Sequence, residues 1–172
     1  MSDDTTPDRP ALDRHERLTV GVIVERRKAK SVWQDYVWQP VEVVTVIPPL
    51  APWSVMREEG GTTRFFAGSF CMELFPNETV SYRMNLADER PGIYVVLRED
   101  AAAPLGMALV LASPSPADAE AFMEGGQAVV DKVPMSEEVA AWLAAYVETF
   151  HVEESFKKRK RGRDKPRSGS VQ

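Results

Sequence analysis

Short stretches in which apolar and polar residues alternate dominate the first two thirds of the chain, and they constrain the fold more than any other feature. In residues 18–24, for example, every even position holds leucine or valine. An extended chain points successive side chains to opposite faces, so this period of two predicts a strand with one buried face. Together with nearly continuous runs of β-forming residues, such as 41–47, this pattern predicts six strands, at residues 18–24, 41–47, 66–74, 80–86, 92–98 and 106–112.

The strongest local signal lies on either side of Pro76-Asn77-Glu78. Before this turn-prone sequence, one face of an extended segment would carry Phe66, Gly68, Phe70, Met72 and Leu74, and after it Val80, Tyr82, Met84 and Leu86. Such a pair of runs predicts an antiparallel hairpin with one wet side. Residues 50–63, which contain Gly60 and Gly61, are predicted to be a connection with room for one helical turn.

Helical signals come late in the chain. Ser115 followed by Pro116 predicts a helix start, and Gly125 with Gly126 predicts its end. In this short helix, Ala119, Phe122 and Met123 are predicted to face inward. A second helix is predicted from Ser136, and its apolar stripe consists of Val139, Trp142, Leu143, Tyr146, Val147 and Phe150.

These elements predict an α+β fold. About six mostly antiparallel strands would form a sheet or partly closed barrel, and two C-terminal helices would pack on it. We predict a disordered segment at residues 1–16, a single α+β domain at 17–156 and a basic disordered tail at 157–172. The tail carries eight basic residues against one acid, so its charge of +7 leaves −12 on residues 1–156 of a chain with net charge −5.

Composition also indicates where the protein is located and whether it needs a cofactor. The N-terminal residues lack the apolar core of a secretory signal, and no window approaches the roughly 18 uncharged apolar residues of a membrane span. Cys71 is the single cysteine, so a disulfide within the chain is impossible. We therefore predict a cytoplasmic protein that needs no cofactor and binds no membrane.

No recognisable catalytic or metal-binding set emerges from the sequence. Cys71 has no base near it in sequence, and His15 and His151 are too far apart to suggest a metal site. The carboxylates are spread over polar stretches, where they are expected to be solvated and to have no catalytic role. The sequence thus predicts no catalytic residue and no metal ligand.

Two surfaces are better candidates, and both point to a binding partner. The first is an aromatic and basic run, because interleaved cations and aromatic rings can hold an acidic peptide or a single-stranded nucleic acid. The second is the basic tail. The candidate partner-binding residues are Arg26, Arg27, Trp33, Tyr36, Trp38, Lys157, Lys158, Arg159, Lys160 and Arg161. Since Trp33 and Trp38 are five residues apart, a regular strand would put one in the core and the other at a rim.

Several unusual patches, taken in order, carry a family resemblance. They are RLTVGVIVERR (17–27), SVWQDYVWQP (31–40), AGSFCMEL (67–74), YRMNL (82–86), PGIYVVLR (91–98), VPM (133–135) and FKKRKR (156–161). Together they resemble an uncharacterised proteobacterial family, domain of unknown function 3305. The resemblance implies no fold or site residues. It implies a genomic setting beside molybdenum-dependent formate dehydrogenase, and hence a role in making, loading or regulating that enzyme.

Three function classes remain open at this point. The leading hypothesis is a non-enzymatic accessory protein that binds another protein, such as a formate dehydrogenase subunit or maturation factor, and assists maturation or regulation of that enzyme. The second is nucleic-acid binding by the tail and the aromatic and basic run. The third is a small enzyme or cofactor carrier whose pocket in the β-body would gather Glu73, Arg83 or Arg98 with Cys71.

Overall fold

The structure, a computed structural model, describes residues 14–152. Almost all of the N-terminal segment predicted at 1–16 and all of the tail predicted at 157–172 lie outside the described residues. The division into three segments therefore stays a prediction.

Four antiparallel strands form the first sheet. They are β1 (Glu16–Lys28), β2 (Tyr36–Val44), β3 (Ser54–Glu59) and β4 (Thr62–Leu74), in the order β2-β1-β4-β3. The predicted second strand, 41–47, was displaced, because β2 begins at Tyr36 and runs through Pro40. A proline is tolerated there because β2 is an edge strand and its register with β1 shifts next to Pro40.

The predicted connection at 50–63 was wrong, because it contains β3. This strand reads SVMREE and is exposed along most of its length, so it lacks the alternation that marks a half-buried strand. Gly60 and Gly61, with φ of 59° and 82°, turn the chain from β3 into β4. Paired positive φ values of this kind are typical of a tight hairpin turn.

A bulge in β4 corrects the predicted face of one residue. The register shifts between Val22 and Ile23, so that Val22 faces Gly68 while Ile23 faces Phe66. Phe66 consequently lies on the opposite face from Phe70 and Met72 and packs beside Gly21, where an added Cβ would meet its ring at 3.0 Å.

Three further strands form a second, separate sheet. They are β5 (Gly92–Glu99), β6 (Met107–Ser113) and β7 (Ala128–Pro134), all antiparallel, in the order β6-β5-β7. Residues 14–152 thus contain seven antiparallel strands in two sheets, which confirms the predicted antiparallel α+β arrangement. Of the two forms that the sequence left open, a sheet or a partly closed barrel, the described residues form no closed barrel. β7 was not predicted at all, because its sequence, AVVDKVP, places charges among its valines.

The strand predicted at 80–86 is the main error, because these residues belong to helix α1 (Thr79–Ala87), which follows a 3-10 turn at Pro76–Glu78. Its buried residues are Thr79, Tyr82 and Asn85, spaced by three, whereas Val80 and Met84 are 58% and 71% exposed. The apolar alternation was therefore misleading, since two of the three buried residues, Thr79 and Asn85, are polar.

The two later helices confirm the predicted positions. Helix α2 (Pro116–Met123) buries Ala119, but Met123 is 56% exposed, which corrects its predicted inward orientation. Helix α3 (Glu137–Phe150) is capped by Ser136, whose hydroxyl accepts a hydrogen bond from the Val139 N–H at 3.3 Å. Its apolar stripe faces α1, and Leu143 and Tyr146 pack with Leu74 and Tyr82 in a small core of their own.

The main core lies between the two sheets. Alternate residues of β1 (Val20, Val22 and Val24) and of β5 (Ile93, Val95 and Leu97) supply its centre, and side chains of β2, β4, β6, β7 and α3 complete it. At the end of this core near the β1–β2 turn, Trp38 and Trp53 replace the valines. That end carries the candidate site.

Candidate functional site

The β1–β2 hairpin brings part of the predicted aromatic and basic run onto one face. Arg26 pairs with Trp38 and Lys28 pairs with Tyr36 in the register of the two strands. Directly paired residues share a face, so these four side chains lie together. The backbone N–H of Ala29 donates to the carbonyl of Asp35 at 2.9 Å and closes the loop. We call residues 29–36 the hairpin tip.

Arg26 is enclosed by three aromatic rings. Its guanidinium carbon lies 4.2 Å from the ring centroid of Tyr36, 5.0 Å from that of Phe65 and 5.4 Å from that of Trp38. Each distance is within the range of a cation–π interaction. We call Arg26, Tyr36, Trp38 and Phe65 the arginine–aromatic cluster. It joins a basic residue of the predicted surface to the end of the core.

The cluster rests on Trp53, which the sequence did not indicate. The rings of Trp38 and Trp53 meet edge to face with centroids 5.6 Å apart. Trp53 is buried and has a positive φ of 64°, a conformation that a bulky residue rarely adopts. Its N–H donates to the carbonyl of Phe66 at 2.5 Å, which fixes it there. The foundation of the hairpin is therefore rigidly specified.

Trp33 differs sharply from Trp38. Trp38 packs against the main core, whereas Trp33 is 94% exposed at the hairpin tip and its neighbour Val32 is 92% exposed. The backbone N–H of Trp33 donates to the Ser31 hydroxyl at 3.2 Å. One tryptophan thus anchors the hairpin to the core, while the other projects from its end.

The remaining predicted site residues are not gathered at the cluster. Arg27 is exposed and, as the neighbour of Arg26 in a strand, points to the other face of the hairpin. Lys157, Lys158, Arg159, Lys160 and Arg161 lie outside the described residues.

A cleft of about 270 Å³ opens beside the hairpin tip. We call it the tip cleft. Its lining consists of Trp33, Gln34, Asp35, Tyr36, Trp38 and Glu99. Glu99 comes from the end of β5, so the cleft lies where the two sheets meet. Sequence analysis missed Asp35 and Glu99 as site residues, and nothing local in the sequence could have brought Glu99 to this hairpin.

The residues proposed for an enzymatic pocket do not converge. Glu73 contacts Arg17 at 3.1 Å and His15 at 3.3 Å on the exposed side of β4. Arg83 lies 2.8 Å from the ring of His151, and Arg98 stacks on Phe122 in the second sheet. These contacts place the side chains at three separate points of the molecule.

Between residues 14 and 152, no three His, Cys, Asp or Glu side chains are grouped so that they could hold a metal ion. No helix in the same part of the chain is long and apolar enough to cross a membrane.

Comparison with known proteins yields one match. A family model described as "Protein of unknown function (DUF3305)" matches residues 19–160, while no curated protein and no solved structure matches the chain. The match confirms the family that the sequence patches resemble. Because it covers most of the 172 residues, the chain belongs to the DUF3305 family of proteins of unknown function.

Proposed function

We propose that this protein is a non-enzymatic accessory protein that binds another protein through the hairpin tip. The observation that carries the proposal is the exposure of Trp33. Tryptophan is enriched among the residues that dominate the energy of protein interfaces, because burying its large ring on binding releases much ordered water. Val32 beside it extends the apolar surface.

The surroundings of Trp33 support a binding role because they are held in place. Arg26 fixes Tyr36 and Trp38 from one side, and Trp53 supports Trp38 from the core. A preorganised surface loses less conformational entropy on association than a mobile one. The projecting Trp33 is therefore presented on a defined support.

For the partner, we propose a subunit or maturation factor of a molybdenum-dependent formate dehydrogenase, with assistance to maturation or regulation as the role. What supports this identity is the family resemblance and the genomic setting that it implies. The basic tail, Lys157 to Arg161 above all, is proposed as a second contact with the same partner.

The test is affinity capture from a native host with the full chain as bait. Trp33→Ala should reduce recovery of formate dehydrogenase components about ten-fold, as expected for loss of an interface hot spot. Removal of residues 157–172 should reduce it further. Met84→Ala is the matched control, because Met84 is also exposed but lies on α1, and it should leave recovery unchanged. Equal recovery with Trp33→Ala and Met84→Ala would refute the proposed surface.

Nucleic-acid binding is a second candidate, and one observation favours it. Arg27, Lys28 and Lys30 are exposed on the same hairpin as Trp33, so cations and a stacking ring are close together. Binding to a single-stranded oligonucleotide should then weaken steeply as salt is raised, because phosphate contacts release counterions. Absence of binding at low salt would eliminate this candidate.

A further inference from the structure

The tip cleft combines aromatic rings with acidic groups. Three of its lining residues are Trp33, Tyr36 and Trp38, and two more are the acidic residues Asp35 and Glu99. Aromatic faces attract cations through the ring quadrupole, and carboxylates attract them directly. The other lining residue is a glutamine, so this lining favours a positively charged ligand.

The same rings already bind a cation within the protein. Arg26 lies over Tyr36 and Trp38 at 4.2 and 5.4 Å, although it does not line the tip cleft. Its charge would repel a second cation. Lys28, which pairs with Tyr36 on the same face of the hairpin, adds a second nearby cation. The residues that line the cleft nevertheless include two acidic ones, Asp35 of the hairpin tip and Glu99 of β5, and no basic one. The other cations of the hairpin, Arg27, Lys28 and Lys30, are also outside the lining.

The volume of the cleft and the charge of its lining limit the class of ligand further. A volume of about 270 Å³ is below the range of roughly 300–1,000 Å³ that is typical of sites for drug-sized molecules. One long side chain fits such a space better than a cofactor. Two acidic residues in the lining disfavour a phosphate backbone. We propose that the tip cleft binds the side chain of a single lysine or arginine of the partner protein, an inference that rests on the proposed function.

The inference can be tested without knowing the partner. The full chain, labelled with ¹⁵N, would be titrated with three capped tripeptides, Gly-Lys-Gly, Gly-Arg-Gly and Gly-norleucine-Gly. The chain has four tryptophans, so four indole N–H signals report on different places. We expect the lysine and arginine peptides to shift the signals of Trp33 and Trp38 and to leave that of Trp142, on α3, unchanged. Norleucine, which lacks the charge, should shift none of them.

Charge-removing variants make the test specific. Glu99→Gln and Asp35→Asn should each lower the affinity for the lysine and arginine peptides by about two- to five-fold, the range for one solvent-exposed ion pair. Glu58→Gln removes an exposed carboxylate on β3, outside the cleft, and should change nothing. The inference is overturned if norleucine binds as well as lysine, if Glu58→Gln acts like Glu99→Gln, or if only an oligonucleotide shifts the two tryptophan signals.

Failure of the cation site and failure of the proposed function give different results. If Trp33→Ala abolishes capture of the partner while Glu99→Gln and Asp35→Asn preserve it and the peptides do not bind, the inference is wrong and the proposed function stands. If the peptides bind in the cleft but Trp33→Ala leaves capture intact, the proposed function is wrong and the cation site stands.

Discussion

Asn85 and Gly92 hold each other by a reciprocal pair of hydrogen bonds. The side-chain amide of Asn85 donates to the carbonyl of Gly92 at 2.8 Å, and the N–H of Gly92 donates to the Asn85 side-chain oxygen at 3.1 Å. The same amide also donates to the carbonyl of Pro114 at 2.8 Å. One buried side chain on α1 thus joins the start of β5 to the segment that leads into α2.

Replacement of Asn85 by alanine should be strongly destabilising. The change leaves a backbone N–H and two carbonyls without their partner in a buried site, and we expect the free energy of unfolding to fall by about 2–4 kcal/mol. Urea unfolding followed by circular dichroism measures this loss. Asn77→Ala, at an exposed asparagine, is the control and should lie within about 0.5 kcal/mol of the parent protein. Equal effects of the two changes would contradict the role of the three bonds.

Gly92 is also required for its lack of a side chain. An added Cβ would lie 2.6 Å from the carbonyl oxygen of Val133, a backbone atom on the neighbouring strand β7. We expect Gly92→Ala to lower the free energy of unfolding by about 2 kcal/mol or more, because the strands must separate to admit the methyl group. Gly125→Ala is the control, since nothing lies within 4 Å of its added Cβ. A thermal melt in which both variants match the parent would contradict the close approach.

Arg26 should stabilise the fold through its rings. Arg26→Ala removes the cation and the aliphatic stem that cover Tyr36, Trp38 and Phe65, and we expect a loss of about 1–2 kcal/mol in urea unfolding. Arg27→Ala removes the same charge one residue further on, on the other face, and should cost less than about 0.5 kcal/mol. If the two losses are equal, the guanidinium does not act through the rings.

Asp131 should make stability depend on pH. It pairs with the fully buried Val95, so its carboxylate lies on the core-facing side of the second sheet, and burial raises the pKa of Asp131 above its ordinary value. The folded state therefore binds the proton more readily than the unfolded state. The stability that Asp131 contributes is fully present below its unfolded pKa and is lost as pH rises through its folded pKa.

It follows that Asp131→Asn should stabilise the protein at pH 7. The gain is on the order of 0.5 kcal/mol after allowance for solvent screening, and it should shrink as the pH falls toward the ordinary range of an aspartate. Urea unfolding at pH 7 and at acidic pH measures both quantities. Glu120→Gln makes the same charge change on an exposed surface of α2 and should show no such convergence. A gain that is independent of pH would contradict the burial of the carboxylate.

The strands with one buried face could be predicted from the sequence, because their alternation is imposed by the core. The sequences of β1 and β4 show this alternation, whereas β5, in which Val95, Val96 and Leu97 are all fully buried, and β6 were predicted from nearly continuous runs of β-forming residues. β3 is exposed on its edge, and β7 carries charges, so neither has the pattern. In α1 the buried positions are a threonine, a tyrosine and an asparagine, so no apolar stripe marks the helix. Asn85 bonds to Pro114 and Thr79 contacts His151, and no local signal in the sequence predicts these long-range hydrogen bonds.

The sequence predicted part of the candidate site. The aromatic and basic run is continuous in the chain, but its division into an anchoring and a projecting tryptophan does not come from a strand period, because Trp33 lies in the turn between β1 and β2 while Trp38 lies in β2. Asp35 lies inside that run but is unremarkable without the fold. Glu99 and Phe65 come from other strands, and only the pairing register and the packing of the sheets bring them to the hairpin.

The position of the tip cleft at the junction of the two sheets has a mechanical consequence. A side chain bound between Asp35 and Glu99 would contact the hairpin of the first sheet and β5 of the second sheet, and it would link the two sheets non-covalently. Because a ligand that binds the folded state alone raises its stability, occupancy would increase the heat resistance of the whole molecule. The melting temperature of the protein would then report on whether its partner is engaged.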